Sequence, residues 1–359
     1  MYYIFTDKEN KHLLRIEKTR GRTKSGFTQK DDGNWYKIVT PEELDIVISS
    51  KITNFDEIED EYEIGKPKDC SFQSRVLSEG RIEGGVFYPK PDPSYISGDN
   101  VSNLFKNLDR LSEVSPQNIR LVGPHGCGKT ELAIQYAAQY DMPILIMDCA
   151  NLREPRDWFG HKTAKDGSVF WKESQFDKCI TNGGHVILLD EINRTSPNVL
   201  NTLLPLLDDR RFTYLEEKGD IIKVGKKTVI FATMNEGAGY TGTSSIDFAL
   251  EDRFPRIIEL NYLLNSQEVE LLSNRTGISK SDAKKLVDIA TSVRKKNMGL
   301  DASFSKSIST RQLISIAQDF VVGGVPTLEY TLTNHFNSEG GRESERAAIL
   351  QMIQGKWGN

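Results

Sequence analysis

The sequence predicts an α/β core on a five-stranded parallel sheet, followed by an α-helical domain and preceded by a small β-rich or α+β domain. Three observations carry this expectation. Between residues 99 and 262, short aliphatic runs alternate with helical segments. A glycine-rich turn separates the first run from the first helix. After about residue 263 the strand-like runs stop and helical periodicity continues alone.

The expected strands are 118–122, 143–148, 186–190, 228–233 and 256–260, near-continuously apolar as buried parallel strands are. Helices are expected at 266–275, 280–296, 310–320 and 342–354. Upstream, residues 1 to about 65 alternate apolar runs (Tyr2 to Phe5, Leu13 to Ile16, Trp35 to Val39) with polar turns, then offer a capped helix from Thr40-Pro41-Glu42-Glu43. Residues 66–98, rich in proline and glycine, read as a linker. The division is thus 1–65, 66–98, 99–262 and 263–359, consistent with a 359-residue chain too long for one ordinary core.

The formal net charge of −5 gives no general reason to expect nucleic acid or an anionic membrane as partner. The four cysteines show no CxxC pair or zinc-ligand spacing and suit a reducing compartment. No apolar stretch approaches the roughly 20 residues of a membrane span, and the N-terminus lacks signal-peptide character. A cytoplasmic protein without a membrane partner is expected.

Gly123-Pro124-His125-Gly126-Cys127-Gly128-Lys129-Thr130 fits G-x-x-x-x-G-K-[ST] between an expected strand and an amphipathic helix that begins near Glu131. Glycines allow backbone N–H groups to curl toward phosphate oxygens; Lys129 would reach the β and γ phosphates, and Thr130 would ligate Mg²⁺. His125 and Cys127 occupy variable positions, where a small loop residue is the simpler explanation of Cys127 than a nucleophile. The absence of N-K-x-D after the loop favours ATP over GTP.

Val186 to Glu191 is an apolar strand ending in two carboxylates. Asp190 would face the Mg²⁺ shell and Glu191 would polarise the attacking water. A helix over 196–209 follows, with Ser196 as N-cap, Pro197 at its first position and Pro205 shortening it. A hairpin is expected from Phe212 to Leu215 and Ile221 to Val224. The strand 228–233 leads into Asn235, whose amide suits contact with a γ-phosphate and its attacking water. Asp252-Arg253-Phe254-Pro255-Arg256 offers two guanidinium groups, and Ser309-Thr310-Arg311-Gln312 fits a capping box that leaves the Arg311 charge unexplained unless an anion lies nearby.

On these residues, the chain from about 99 to 330 resembles the AAA+ superfamily, within it the MoxR-like and dynein-related branch that includes the CbbQ, NorQ and CobS types. The resemblance implies a homo-oligomeric ring, usually a hexamer, with ATP between subunits and the last domain as a lid. It also implies Arg253 as an arginine finger for the neighbouring subunit, Arg256 as a second finger and Arg311 as the sensor 2 residue. Gly160 to Trp171 fall where the branch has a helix 2 insert facing the pore, with substrate contact and simple packing both open for Phe170 and Trp171. The implied function is remodelling or activation of a protein client, a VWA-domain protein or metalloenzyme being the type. A nucleic-acid motor of McrB-like type and a nucleotide-gated scaffold are the alternatives. The N-terminal domain matches no part of the family.

Overall fold

The computed structural model describes residues 80–96, 101–165, 167–234, 248–297, 304–336 and 343–358, and four strands between residues 2 and 39. Those four strands belong to a first compact unit, Met1–Asp69. β1 (Tyr2–Thr6), β2 (Leu13–Lys18), β3 (Phe27–Gln29) and β4 (Trp35–Val39) form an antiparallel sheet in the order β2-β1-β4-β3. Three of them fall on the expected apolar runs. With three residues, β3 is too short to display an alternation. The helix expected from Thr40 lies outside the described residues.

In the second unit, Cys70–Asn359, the first element among the described residues is a hairpin of β5 (Gly80–Glu83) and β6 (Val86–Pro89). It turns on Gly84 and Gly85, with φ of 59° and 86°, the left-handed pair that a two-residue hairpin favours. β6 then joins the main sheet antiparallel, Phe87 opposite Ile144. The expectation of a continuous linker over 66–98 is corrected here. The flanking prolines and glycines concealed a four-residue strand whose Val86 and Phe87 are buried.

The core runs through α1 (Val101–Val114), β7 (Gln117–Val122), α2 (Lys129–Gln139), β8 (Ile144–Asp148), α3 (Arg156–Phe159), β9 (Gly160–Lys165), β10 (Ser168–Glu173), α4 (Gln175–Asn182) and β11 (Val186–Asp190). It continues through α5 (Pro197–Asn201), α6 (Leu204–Leu207), β12 (Phe212–Leu215), β13 (Asp220–Lys223), β14 (Val229–Met234), α7 (Phe248–Glu251) and β15 (Arg256–Glu259). The main sheet has the order β15-β7-β14-β11-β8-β6-β5. Its five expected strands are all parallel, and the β5–β6 hairpin makes it seven-stranded.

Both sheet faces are covered, which is why β14 is buried along its whole length. One face packs Ile119, Leu121 and Phe231 against Phe105, Leu108, Leu132 and Tyr136 of α1 and α2. The other packs Ile187, Ile230 and Ala232 against Trp158, Phe176, Leu206 and Phe254. The helix expected over 196–209 is two short pieces, α5 and α6, because Pro205 has no N–H to continue a helical ladder and sits instead in the first turn of α6. Ser196 occupies the N-cap position of α5 but its side chain makes no capping bond.

The last four helices are α8 (Asn265–Thr276), α9 (Lys280–Asn297), α10 (Thr310–His335) and α11 (Glu343–Trp357), with a core of their own around Leu272, Ala290, Ile308 and Leu313. The expected end of α10 at residue 320 is replaced by a break at Gly324 (φ 65°, ψ −156°), after which the chain resumes helix ahead of Pro326. Among the described residues, no helix is long and apolar enough to cross a membrane.

Candidate active site

The chain leaves β7 through Gly123 and enters α2 at Lys129. Gly123 has φ 151°, and a Cβ there would lie 2.1 Å from the Leu260 carbonyl oxygen. Gly126 has φ 68°, and a Cβ would press on the Ser309 side chain at 2.7 Å, so this glycine is what lets the start of α10 approach the loop. No side chain caps the start of α2, so no cap competes with an anion for its first N–H groups. Lys129 is 8% exposed and curls over the loop, donating to the Gly123 and Pro124 carbonyls at 2.7 and 3.0 Å. Burial draws its pKa down, with Asp190 and Glu191 opposing the shift. Burial likewise pushes the Cys127 thiol up, more than the adjacent Lys129 lowers it, so Cys127 is not an activated thiolate.

At the carboxyl end of β11, the Asp190 carboxylate oxygens both lie 3.4 Å from the Thr130 hydroxyl. Two hard oxygen donors at this spacing fit one small cation with ligands at about 2.1 Å. Thr233 sits between the acidic residues: its hydroxyl donates to Asp190 Oδ1 at 2.5 Å and accepts from the Glu191 amide at 2.8 Å. Glu191 has φ 54°, a left-handed conformation uncommon for glutamate, and its Oε2 lies 2.9 Å from Arg194 Nε. The sequence points to Asn235 rather than Thr233 at this strand end, and Asn235 lies outside the described residues. The signal for Thr233 was a hydroxyl residue at the end of an apolar strand beside the Asp-Glu pair.

Two cavities meet at the loop and share Gly126, Gly128, Glu131 and Arg311 in their walls. One, of about 640 Å³, is lined by Lys129, Thr130, Asp190, Glu191 and Thr233. The other, of about 590 Å³, is mainly apolar, with Tyr95, Ile96, Leu260 and Tyr262 in its walls. A triphosphate in the first and a base in the second is the arrangement that their chemistry suits. Asp92, from the former linker, pairs with Arg275 of α8 behind the apolar cavity. Arg311 is held by the start of α10. There Ser309 and Gln312 cap reciprocally, and the Thr310 hydroxyl donates to Glu268, itself in a buried bidentate pair with Arg294 at 2.7 and 2.8 Å.

Residues 118–254 match the AAA domain of the dynein-related subfamily, and residues 268–334 match the CbbQ/NirQ/NorQ C-terminal domain. A Thauera aromatica protein named "Putative chaperone BssE" is 34% identical over 240 residues, spanning 67% of this chain and 82% of that protein. The chain belongs to this MoxR-like, dynein-related AAA+ family. It is an ATPase. A Staphylococcus haemolyticus protein, SH1500, is 33% identical over 174 residues, 47% of this chain and 64% of its own. Among solved structures, the Thermotoga maritima RuvB Holliday junction branch migration motor is similar over 75% of this chain and 72% of its own, with 17% identity and a TM-score of 0.45.

In this AAA+ ATPase the remaining candidate residues are dispersed. Arg311 reaches both cavities, whereas Arg253 and Arg256 line neither. Arg253 folds back on its own helix, Nη1 donating to the Ala249 carbonyl at 2.9 Å. Gly160 to Trp171 form most of the hairpin β9–β10, in which Phe170 is 45% exposed. Trp171 packs against the core and lines a small cavity with Phe159 and Tyr214, so of the two aromatics only Phe170 faces outward.

Proposed function

We propose that this ATPase acts as a homo-oligomeric ring, a hexamer, in which each ATP lies between two copies and hydrolysis drives remodelling or activation of a separate protein client. The observation that carries this is the separation of the arginines. Arg311 lines the chain's own cavities and Arg253 and Arg256 line neither, which supports assigning those two to a neighbouring copy's phosphates.

Within one site, the loop amides and Lys129 bind the phosphates, and Glu191 orients the attacking water. Thr130 and Asp190 would hold a magnesium ion, whose contribution is to neutralise charge on the phosphates. Asn235 would align the γ-phosphate with that water. Arg253 and Arg256 complete the site from the neighbour, stabilising charge in the transition state. Arg311 couples phosphate occupancy to the lid. For the client we favour a VWA-domain protein or a metalloenzyme. A chaperone-like role is supported by the name of the Thauera relative, and outward-facing Val169, Phe170 and Tyr214 are candidate contacts. The free Cys127, Cys149 and Cys179 suit a cytoplasmic setting.

Mixing tests the shared site. Rings of Glu191→Gln alone or Arg253→Ala alone should be inactive, while mixed rings regain turnover because some interfaces combine two intact halves. No recovery on mixing would defeat the intersubunit arrangement. Glu191→Gln loaded with ATP should retain a client that Lys129→Ala does not, whereas turnover stimulated by DNA or RNA and weakened steeply by salt would point to a nucleic-acid motor.

A further inference from the structure

Strand β7 carries a polar side chain in the middle of the sheet. Asn118 is 2% exposed and sits opposite Ile230 of β14. An amide so placed is tolerated only when its hydrogen bonds are made. Its Nδ2 donates to two carbonyls, Leu207 at the end of α6 and Arg253, both at 2.7 Å. Its Oδ1 accepts from Arg211 Nη1 at 2.8 Å.

Arg211 is itself held in place. It has φ 57°, and its guanidinium also donates to the Pro116 carbonyl at 2.9 Å. Its own carbonyl accepts from the Val224 amide at 2.8 Å, closing the base of the β12–β13 hairpin. Two residues along β7, Arg120 Nη1 donates to Glu251 Oε1 at 2.8 Å, gripping the helix that leads into Arg253. Asn118 therefore ties its own strand to two stretches that are far apart in sequence: residues 207–211, which close α6 and open the hairpin, and the turn bearing Arg253.

We propose that Asn118 and Arg211 are positioning residues for Arg253, fixing the backbone from which its guanidinium reaches a neighbouring copy. This rests on the intersubunit role of Arg253 given above. On either side the turn is held by the Arg120–Glu251 pair and by buried Phe254, but at Arg253 itself the amide bonds only locally, to the Leu250 carbonyl at 3.1 Å, and the Asn118 bond to its carbonyl comes from another strand. A guanidinium at the end of a long side chain amplifies any rotation at its Cα. Loss of the Asn118 bond should therefore misplace the charge in the transition state and leave ATP binding by the P-loop unaffected.

The test places the substitution on one side of an interface at a time. Rings are mixed from Arg253→Ala subunits, which own a competent ATP site, and Glu191→Gln subunits, which supply the arginine. Asn118→Ser in the arginine-supplying subunit should lower kcat about tenfold or more at unchanged KM, since a misplacement near 1 Å can cost up to about 100-fold. The same substitution in the site-owning subunit, whose own arginine is already gone, should change turnover by less than about twofold. Arg211→Lys, acting from the other side of the amide, should show the same asymmetry with a smaller loss.

Equal losses in both positions would overturn the proposal, as would a loss expressed in KM. Failure of both variants to assemble, followed by light scattering, would also overturn it, by showing that the network holds the fold rather than the arginine. If the parent mixture without Asn118→Ser regains no turnover, it is the intersubunit role of Arg253 that fails, a distinct result.

Discussion

Arg194 Nε lies 2.9 Å from Glu191 Oε2, so the carboxylate we propose to orient a hydrolytic water is held by a guanidinium three residues along the chain. Both side chains are partly exposed, at 38% and 28%, which limits such a pair to about 1 kcal/mol or less. Arg194→Ala should release Glu191 and raise client-free ATP turnover by up to about fivefold. Steady-state kinetics reads this directly, and a fall in kcat would instead assign Arg194 to the hydrolysis step.

Thr233 is the hinge between Asp190 and the Glu191 amide. Thr233→Val keeps the shape and removes both bonds, leaving an amide and a carboxylate without this partner at a cost of about 1–3 kcal/mol. Turnover should fall by about tenfold or more. Thr233→Ser should retain most activity. Equal behaviour of the two variants would deny the hydroxyl this part.

Glu268 is fully buried and holds Arg294 through two bonds while accepting from Thr310. Glu268→Ala strands a buried guanidinium and should destabilise the lid by about 3–5 kcal/mol, visible as a lower melting temperature and faster proteolysis. Glu268→Leu with Arg294→Met removes both charges together. It should recover much of that loss, and failure to recover would place the importance of the pair in its geometry rather than its charge balance.

His125 titrates below its ordinary value of 6.5, through partial desolvation and then the Arg311 and Lys129 charges. A lowered histidine pKa means that the unfolded chain takes up a proton the folded one resists. Ligand-free stability should therefore decline as pH falls through about 6.5. Phosphates beside the ring reverse the preference, so the rise in melting temperature on adding ATP should be larger at pH 6 than at pH 8. His125→Gln should flatten that difference. The ring is at the surface, which keeps the effect modest.

Contiguous chemistry was the most legible part of the site. Gly123 to Thr130 and Val186 to Glu191 each place a strand end and its functional groups within a few residues, so local pattern suffices to find them. Thr233 and Asn118 were missed for different reasons. Thr233 precedes Asn235, whose amide is the more obvious phosphate contact, and Asn118 opens the expected strand 118–122, where a polar residue reads as a boundary rather than a buried group. The β5–β6 hairpin was hidden because four-residue strands between prolines and glycines carry too little periodicity to register.

Taken alone, the sequence determined the five parallel strands, the helical C-terminal part, the glycine-rich loop and the Asp190-Glu191 pair, since these follow from side-chain period and backbone freedom over short spans. Only the tertiary structure decided that Asp190, Glu191 and Thr233 share one hydrogen-bonded cluster, that Arg311 faces both cavities while Arg253 faces neither, and that Asn118 joins α6, Arg211 and the Arg253 turn. These relations come from strand order. β7 lies between β15 and β14, and β14 lies beside β11, so residues as far apart as Asn118 and Arg253, 135 positions, become hydrogen-bonded neighbours. No local periodicity carries that adjacency, because it is set by the packing of buried faces across the whole sheet.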